Sequence, residues 1–394
     1  MQLKFWTLVL AAGLPAAVQA QTLLMDPSRL AGLKKKVEQR DPTVLGLVQR
    51  LEEQADKLLT MKPVSVMEKS STPVSGSKHD YMSQAPYYWY DSTKPNGLPY
   101  VSRDGQRNPE IYGITDRTYI GRLDNAVRVL GLAWWLSGKE KYAQKAAGLL
   151  RCWFLDDSTR MNPNLEYGQA IPGVNNGRGI GIIETISLMG IADGAALLDG
   201  SSAWTAGDAG ELRHWYAQYL DWMLTSSHGK EEHAAKNNHG VWWLAQATDF
   251  ALFTGNPSKA KELAEEGKEK MDSQIQADGR MPKELARTNG LWYSTYNLQA
   301  LFTLATLAHL AGVDLWHYSN QTNAGIRAAF DWLIPYAAGE KKWEYQQISP
   351  YDPTEFYSLL LQAGKVYGEE KYIAEARAIG KKEANAVVEV MWGE

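Results

Sequence analysis

The chain of 394 residues is 44% hydrophobic and 22% charged, proportions that exclude a disordered or fibrous protein. Its 41 lysines and arginines against 45 acids leave a net charge of −4, without the basic excess of a nucleic-acid binder. A polyanionic ligand would need positive charge gathered in a cleft, and 15 Trp and 20 Tyr against 7 Phe supply flat faces with hydrogen-bonding tips, as sugar clefts do.

Residues 1–20 resemble an export signal: Lys4 supplies the positive end, Phe5 to Val18 are mostly apolar, and Val18, Gln19 and Ala20 offer small residues for cleavage. That run is too short to span a bilayer, and no later stretch of about 18 apolar residues is expected. No cysteine adjoins the cleavage site, and Cys152 is the only one, so neither a lipid anchor there nor an intrachain disulfide is expected. The protein is expected to be exported, periplasmic or secreted, without membrane insertion. Residues 21–394 form a single expected domain.

Helical patterning begins at about residues 28–60 and is interrupted over 61–118. The polar, aromatic stretch from Ser75 to Tyr90 and the turn signals Asn96-Gly97 and Asp104-Gly105 make about 70–118 a long functional loop. Beyond it, Gly138, Gly200, Gly255, Gly312 and Gly368 each follow an apolar helical segment and precede an amphipathic one, at spacings of 62, 55, 57 and 56 residues. Each sits where a helix C-terminus calls for a left-handed residue. The period suits helix, tight turn, helix and return loop. The expected fold is all-α, an (α/α) toroid of repeated helical hairpins, complete or incomplete. An open helical solenoid shares the local signature.

Three helices that run into marker glycines begin with polar clusters: Asn175-Asn-Gly-Arg178, Lys236-Asn-Asn-His239 and Arg287-Thr-Asn-Gly-Leu-Trp-Tyr293. In a toroid these N-termini share one rim, where free N–H groups and the helix dipole favour an anion. Gln169, Asn175 and Arg178 are candidate substrate-binding residues on this argument. Helix capping is the plainer reading of any single cluster.

Lys236-Asn-Asn-His239-Gly-Val-Trp242 resembles the Asn-Asn-His segment of the alginate lyase family. Glu284-Leu-Ala-Arg287 with Tyr293 is similar to its arginine–tyrosine segment, and Ser77-Lys78-His-Asp-Tyr81 with Ala85-Pro-Tyr-Tyr-Trp89 to its lid motif. The relatives are polysaccharide lyase families 5 and 38. The resemblance implies β-elimination on a polyuronate, most simply mannuronate-rich alginate, with glucuronan as another substrate. Such a reaction removes the C5 proton beside a carboxylate and expels the oxygen on C4. By resemblance Tyr293 is the acid and base, and His239, Asn238 and Arg287 neutralise the carboxylate and the enolate-like intermediate. Lys78, Tyr81 and Trp242 match sugar-binding positions. Arg287 and His239 would have to favour the phenolate of Tyr293, and Tyr296 offers the same chemistry three residues on.

No cofactor or metal is expected. His228, His233 and His239 with Glu231 and Glu232 are spaced by 5 and 6 residues, off any single helical face. Gly177-Arg-Gly-Ile-Gly181 lacks the βαβ setting of a dinucleotide loop. Two other functions compete: an inverting glycoside hydrolase, which needs paired carboxylates, and a non-catalytic glycan-binding helical repeat.

Overall fold

The computed structural model describes residues 21–380 and 386–393; the expected export signal lies outside the described residues. Helices α1 (Pro27–Glu38) and α2 (Pro42–Leu58) start at prolines, with Asp26 and Asp41 accepting first-turn N–H groups. There follow α3 (Asp116–Ser137), α4 (Glu140–Leu150), α5 (Ser187–Ala196), α6 (Ala206–Thr225), α7 (Ser227–His233) and α8 (Asn238–Phe253). The chain continues through α9 (Pro257–Gln274), α10 (Pro282–Leu285), α11 (Gly290–Leu310), α12 (Ile326–Ala337), α13 (Tyr357–Tyr367), α14 (Glu370–Ile379) and α15 (Ala386–Trp392).

The five marker glycines all adopt positive φ, between 65° and 88°, as the periodicity predicts. The helices before them, α3, α5, α8, α11 and α13, pack each on the next as an inner row. Their composition explains the layer: α8 buries 13 of its 16 residues, whereas the Lys- and Glu-rich α9 buries 6 of 18 and faces outward. Helices α4, α6, α9, α12 and α14 form the outer layer, and α15 and α2 bridge α13 back to α3. The fold is an all-α toroid.

Residues 61–118 carry more order than a loop. Strand β1 (Met82–Gln84) pairs in parallel with a later strand, Tyr167–Ala170, while β2 (Tyr88–Trp89) pairs antiparallel with β3 (Val101–Ser102); Tyr167–Ala170 is β4. Lys69 anchors the start of this segment, its ammonium fully buried against Asp116 at 2.9 Å and the carbonyls of Val66 and Lys78 at 2.6 and 2.7 Å. The glycines at 177–181 serve close packing: a Cβ on Gly177 would overlap the Glu166 carbonyl, and one on Gly181 would meet Gly168. Against the expectation that no later stretch of about 18 apolar residues exists, Gly179–Ala196 is long and apolar enough to cross a membrane by composition, but 72% of it is buried within the fold.

Candidate active site

The N-terminal ends of the inner helices meet around a cleft of about 290 Å³. Arg117 comes from the first turn of α3, Ile180 and Ile183 from the 3-10 segment leading into α5, Asn237 to His239 from the start of α8, and Arg287, Trp292, Tyr293 and Tyr296 from the approach to α11 and its first turns. Residues 86–107 of the long segment supply the facing wall, including Tyr87, Tyr88 and Asp104.

Arg287 and Tyr293 form the centre of the cleft. The guanidinium lies 3.7 Å from the centroid of the Tyr293 ring, and its Nη2 donates to the phenol oxygen at 2.6 Å. Asp104 holds Arg287 from the other side, accepting from Nη2 at 2.5 Å and from Nε at 3.2 Å. The same carboxylate accepts from the Thr288 amide and hydroxyl at 3.1 and 3.0 Å. Gly105, at φ 73°, lets this turn lie close against Thr288 and Asn289, where a Cβ would collide. Burial pushes Asp104 up, but these donors outweigh it and hold the carboxyl below its ordinary range. Tyr293 in turn donates to the Tyr87 hydroxyl at 3.0 Å.

The electrostatics of Tyr293 differ from the expectation that nearby cations favour the phenolate. Burial raises the phenol well above the ordinary tyrosine range and Tyr87 adds to the rise, so the pull of Arg287 is overcome. Burial thus favours the neutral phenol at Tyr293.

Asn238 and His239 are each oriented by a buried glutamate. Glu284 accepts from the Asn238 amide N–H at 2.7 Å and from Nδ2 at 2.8 Å. That fixes the side-chain amide and leaves the buried Oδ1 without a protein partner. Burial raises Glu284 against these donors. His239 Nδ1 lies 2.6 Å from Glu232 Oε1, so a carboxylate acceptor assigns the proton to Nδ1 and leaves Nε2 as the ring nitrogen free to act. Glu232→Gln removes that tautomer preference; kcat is expected to fall by up to about a hundredfold, the cost of misplacing a reacting group by an ångström. Steady-state kinetics on a polyuronate check this, and an unchanged kcat would show that the contact is only structural.

A family model for alginate lyases matches residues 65–343. The chain belongs to the alginate lyase family. It is 40% identical to an alginate lyase from Bacteroides ovatus of known crystal structure, with a TM-score of 0.90 over 95% of this chain and 99% of the other. Alginate lyase A1-III from Sphingomonas species A1 shares the fold at 14% identity and a TM-score of 0.54, over 87% of this chain and 94% of that one. A variant of A1-III complexed with a tetrasaccharide aligns at 13% identity and 0.60, over 96% and 98%. No curated protein matches the chain. The protein is a polysaccharide lyase.

In this lyase Arg178 and Gln169 line the cleft as the shared rim predicts. Arg178 donates to the Gln169 side chain at 2.8 Å and its guanidinium lies 5.2 Å from the Tyr88 ring centroid. Gln169 takes φ 51°, a conformation uncommon outside glycine, and its amide donates to Ser83. The other rim residue, Asn175, does not line the cleft: its side chain closes a turn by accepting from the Ile171 amide.

Three residues carried over from the motifs also lie elsewhere. Tyr81 is fully buried and donates to Glu184 at 2.8 Å, so it is a core residue of the lyase and not a sugar contact. Trp242 is 6% exposed and packs 5.3 Å from Tyr296, one layer behind the cleft. Lys78 is half-buried outside the cleft lining, its carbonyl serving Lys69. Conversely, Asp104, Tyr87, Glu284 and Arg117 carry no site expectation from the sequence, and Glu232 enters there only in the dismissed metal cluster. Tyr87 and Glu284 stood within quoted motifs, whereas Asp104 was legible only as part of a turn. Among the described residues, no group of three or more His, Cys, Asp or Glu is placed to hold a metal.

Proposed function

We propose that this lyase cleaves alginate by β-elimination, with Tyr293 delivering a proton to the departing O4. The observation that carries the proposal is the Tyr293 hydroxyl held at 2.6 Å by Arg287 in the same cleft as Asn238 and His239, and burial favours its neutral form. Arg178, Arg117 and Arg287 offer positive charge for the uronate carboxylates. The C5 proton passes to Nε2 of His239, the C4–C5 double bond forms, the C4–O bond breaks, and O4 takes the phenol proton. Arg287 stabilises both the enolate-like intermediate and the phenolate left behind.

The sequence reading gave both transfers to Tyr293. That route suits mannuronate, in which the C5 proton and O4 share a face, but it requires the ionised phenol that burial opposes. Separate base and acid can also serve guluronate, whose groups lie on opposite faces. A hydrolase is disfavoured because, among the described residues, Asp104 is the only carboxylate lining the cleft and it is bound by Arg287 and Thr288. Export from the cytoplasm, supported by the N-terminal segment, is part of the same proposal.

Polymannuronate, polyguluronate and glucuronan, incubated separately with the enzyme and followed by ultraviolet absorbance, should reveal unsaturated ends without added metal. Saturated products would defeat the lyase mechanism. The rate as a function of pH separates the two proton routes. A phenolate base whose pKa is raised above about 10 should give a rate that climbs throughout the alkaline range. A phenol that acts only as the acid, and stays neutral, should give no such climb.

A further inference from the structure

A groove of about 680 Å³ lies beside the cleft between the end of α2 and the start of α3. Four cations line it, Lys57, Arg107, Arg117 and Arg122, and among the described residues no carboxylate does. Arg107 and Arg117 also line the catalytic cleft, so the two hollows share a wall. Nearby lysines are neutralised, Lys139 by Glu52 at 2.7 Å and Lys141 by Asp56 at 2.6 Å. Among the described residues, by contrast, Lys57, Arg107 and Arg122 have no carboxylate within salt-bridge reach. Arg117 pairs with Glu184 at 3.5 Å, and in a protein of net charge −4 the other three cations, gathered without a carboxylate partner, form a local field of the sign a polyanion needs.

The shape of the groove suits a chain. Thr118, Gly121, Arg122 and Asn125 fall on one face of α3, and a Cβ at Gly121 would meet nothing within 4 Å, so the helix offers an open floor. Tyr112, 60% exposed at the edge, presents a ring to solvent where a sugar face can lie.

We propose that this groove is a distal subsite for the polyuronate, holding the carboxylates of sugar units that continue past the catalytic cleft. The proposal rests on the polyuronate reading of the cleft. It makes affinity depend on chain length: a polymer reaches both hollows, a trisaccharide only the cleft.

The test uses full-length enzyme in three forms: the K57Q/R122Q pair, Gly121→Phe, which fills the groove without changing charge, and K259Q/K268Q on exposed α9 as a charge-matched control. With long polymannuronate, the first two should raise KM by about three- to tenfold, the worth of one or two exposed ion pairs, and leave kcat unchanged. Kinetics on trimannuronate, and the control on either substrate, should match wild type. Equal KM values on the polymer, or an equal rise on the trimer, would overturn the subsite. Affinity electrophoresis through gels with and without polymannuronate repeats the comparison without turnover. A wild type that makes no unsaturated products yet is retarded more than both groove variants would refute the lyase mechanism and leave the subsite standing; equal retardation would refute the subsite.

Discussion

Tyr293→Phe should lower kcat by about two to four orders of magnitude, the usual worth of a general acid or base. The substitution removes one hydroxyl and keeps the ring, so the 3.7 Å stacking of Arg287 and the 5.0 Å edge contact with Trp292 should survive. KM should change far less, because the lost interaction belongs to the transition state. Tyr296→Phe is the matched comparison. Its ring stacks on Trp292 at 4.9 Å and it lines the same cleft, but it is Tyr293 whose hydroxyl accepts from Arg287. A nearly normal Tyr293→Phe enzyme beside a dead Tyr296→Phe enzyme would reassign the acid to Tyr296. Full turnover in both would remove tyrosine from the mechanism.

The second large effect should be on stability. Lys69→Met is expected to cost about 3–5 kcal/mol, because removing one partner strands a buried charge. Lys69 and Asp116 are both fully buried, and the ammonium also satisfies two carbonyls. Burial already lifts Asp116 to about 6 against the pull of Lys69. The urea midpoint, followed by helical circular dichroism, reads the loss. Lys69→Met combined with Asp116→Leu should recover part of it, since an apolar pair leaves no stranded charge. A single variant as stable as wild type would mean that water reaches Asp116. Because Asp116 directly precedes Arg117 in α3, the single variant should also raise KM at temperatures where it remains folded.

The architecture was legible because helix ends carry strong local chemistry. Five glycines in left-handed conformation announced the hairpins, and the apolar content of segments such as 238–253 separated inner helices from outer ones. The site was legible where a residue and its role lie close in sequence, as with Arg287 and Tyr293. It was not legible where the partner comes from a distant part of the chain: Asp104 reaches Arg287 across 183 residues, and nothing in a short window announces that meeting. Motif position also failed to say which way a side chain faces. Tyr81 and Ser83 both reach the buried Glu184 from around β1, so a residue within a lid motif serves the core. The protonation state of Tyr293 depends on how much water the folded cleft excludes, which no spacing encodes.

The inner helices bring their loops to one end of the ring while their bodies pack below it. On the two proposals, reaction and polymer binding fall to different parts of the chain. His239 and Tyr293, the proposed base and acid, sit at the entrances to α8 and α11, whereas the unpaired cations of the groove belong to the joint between α2 and α3. Evolution can redraw one joint, changing which polymer is gripped, and leave the other inherited intact. A lineage of such enzymes would then diversify in diet while conserving its chemistry, and the α2–α3 joint is where that divergence should be sought.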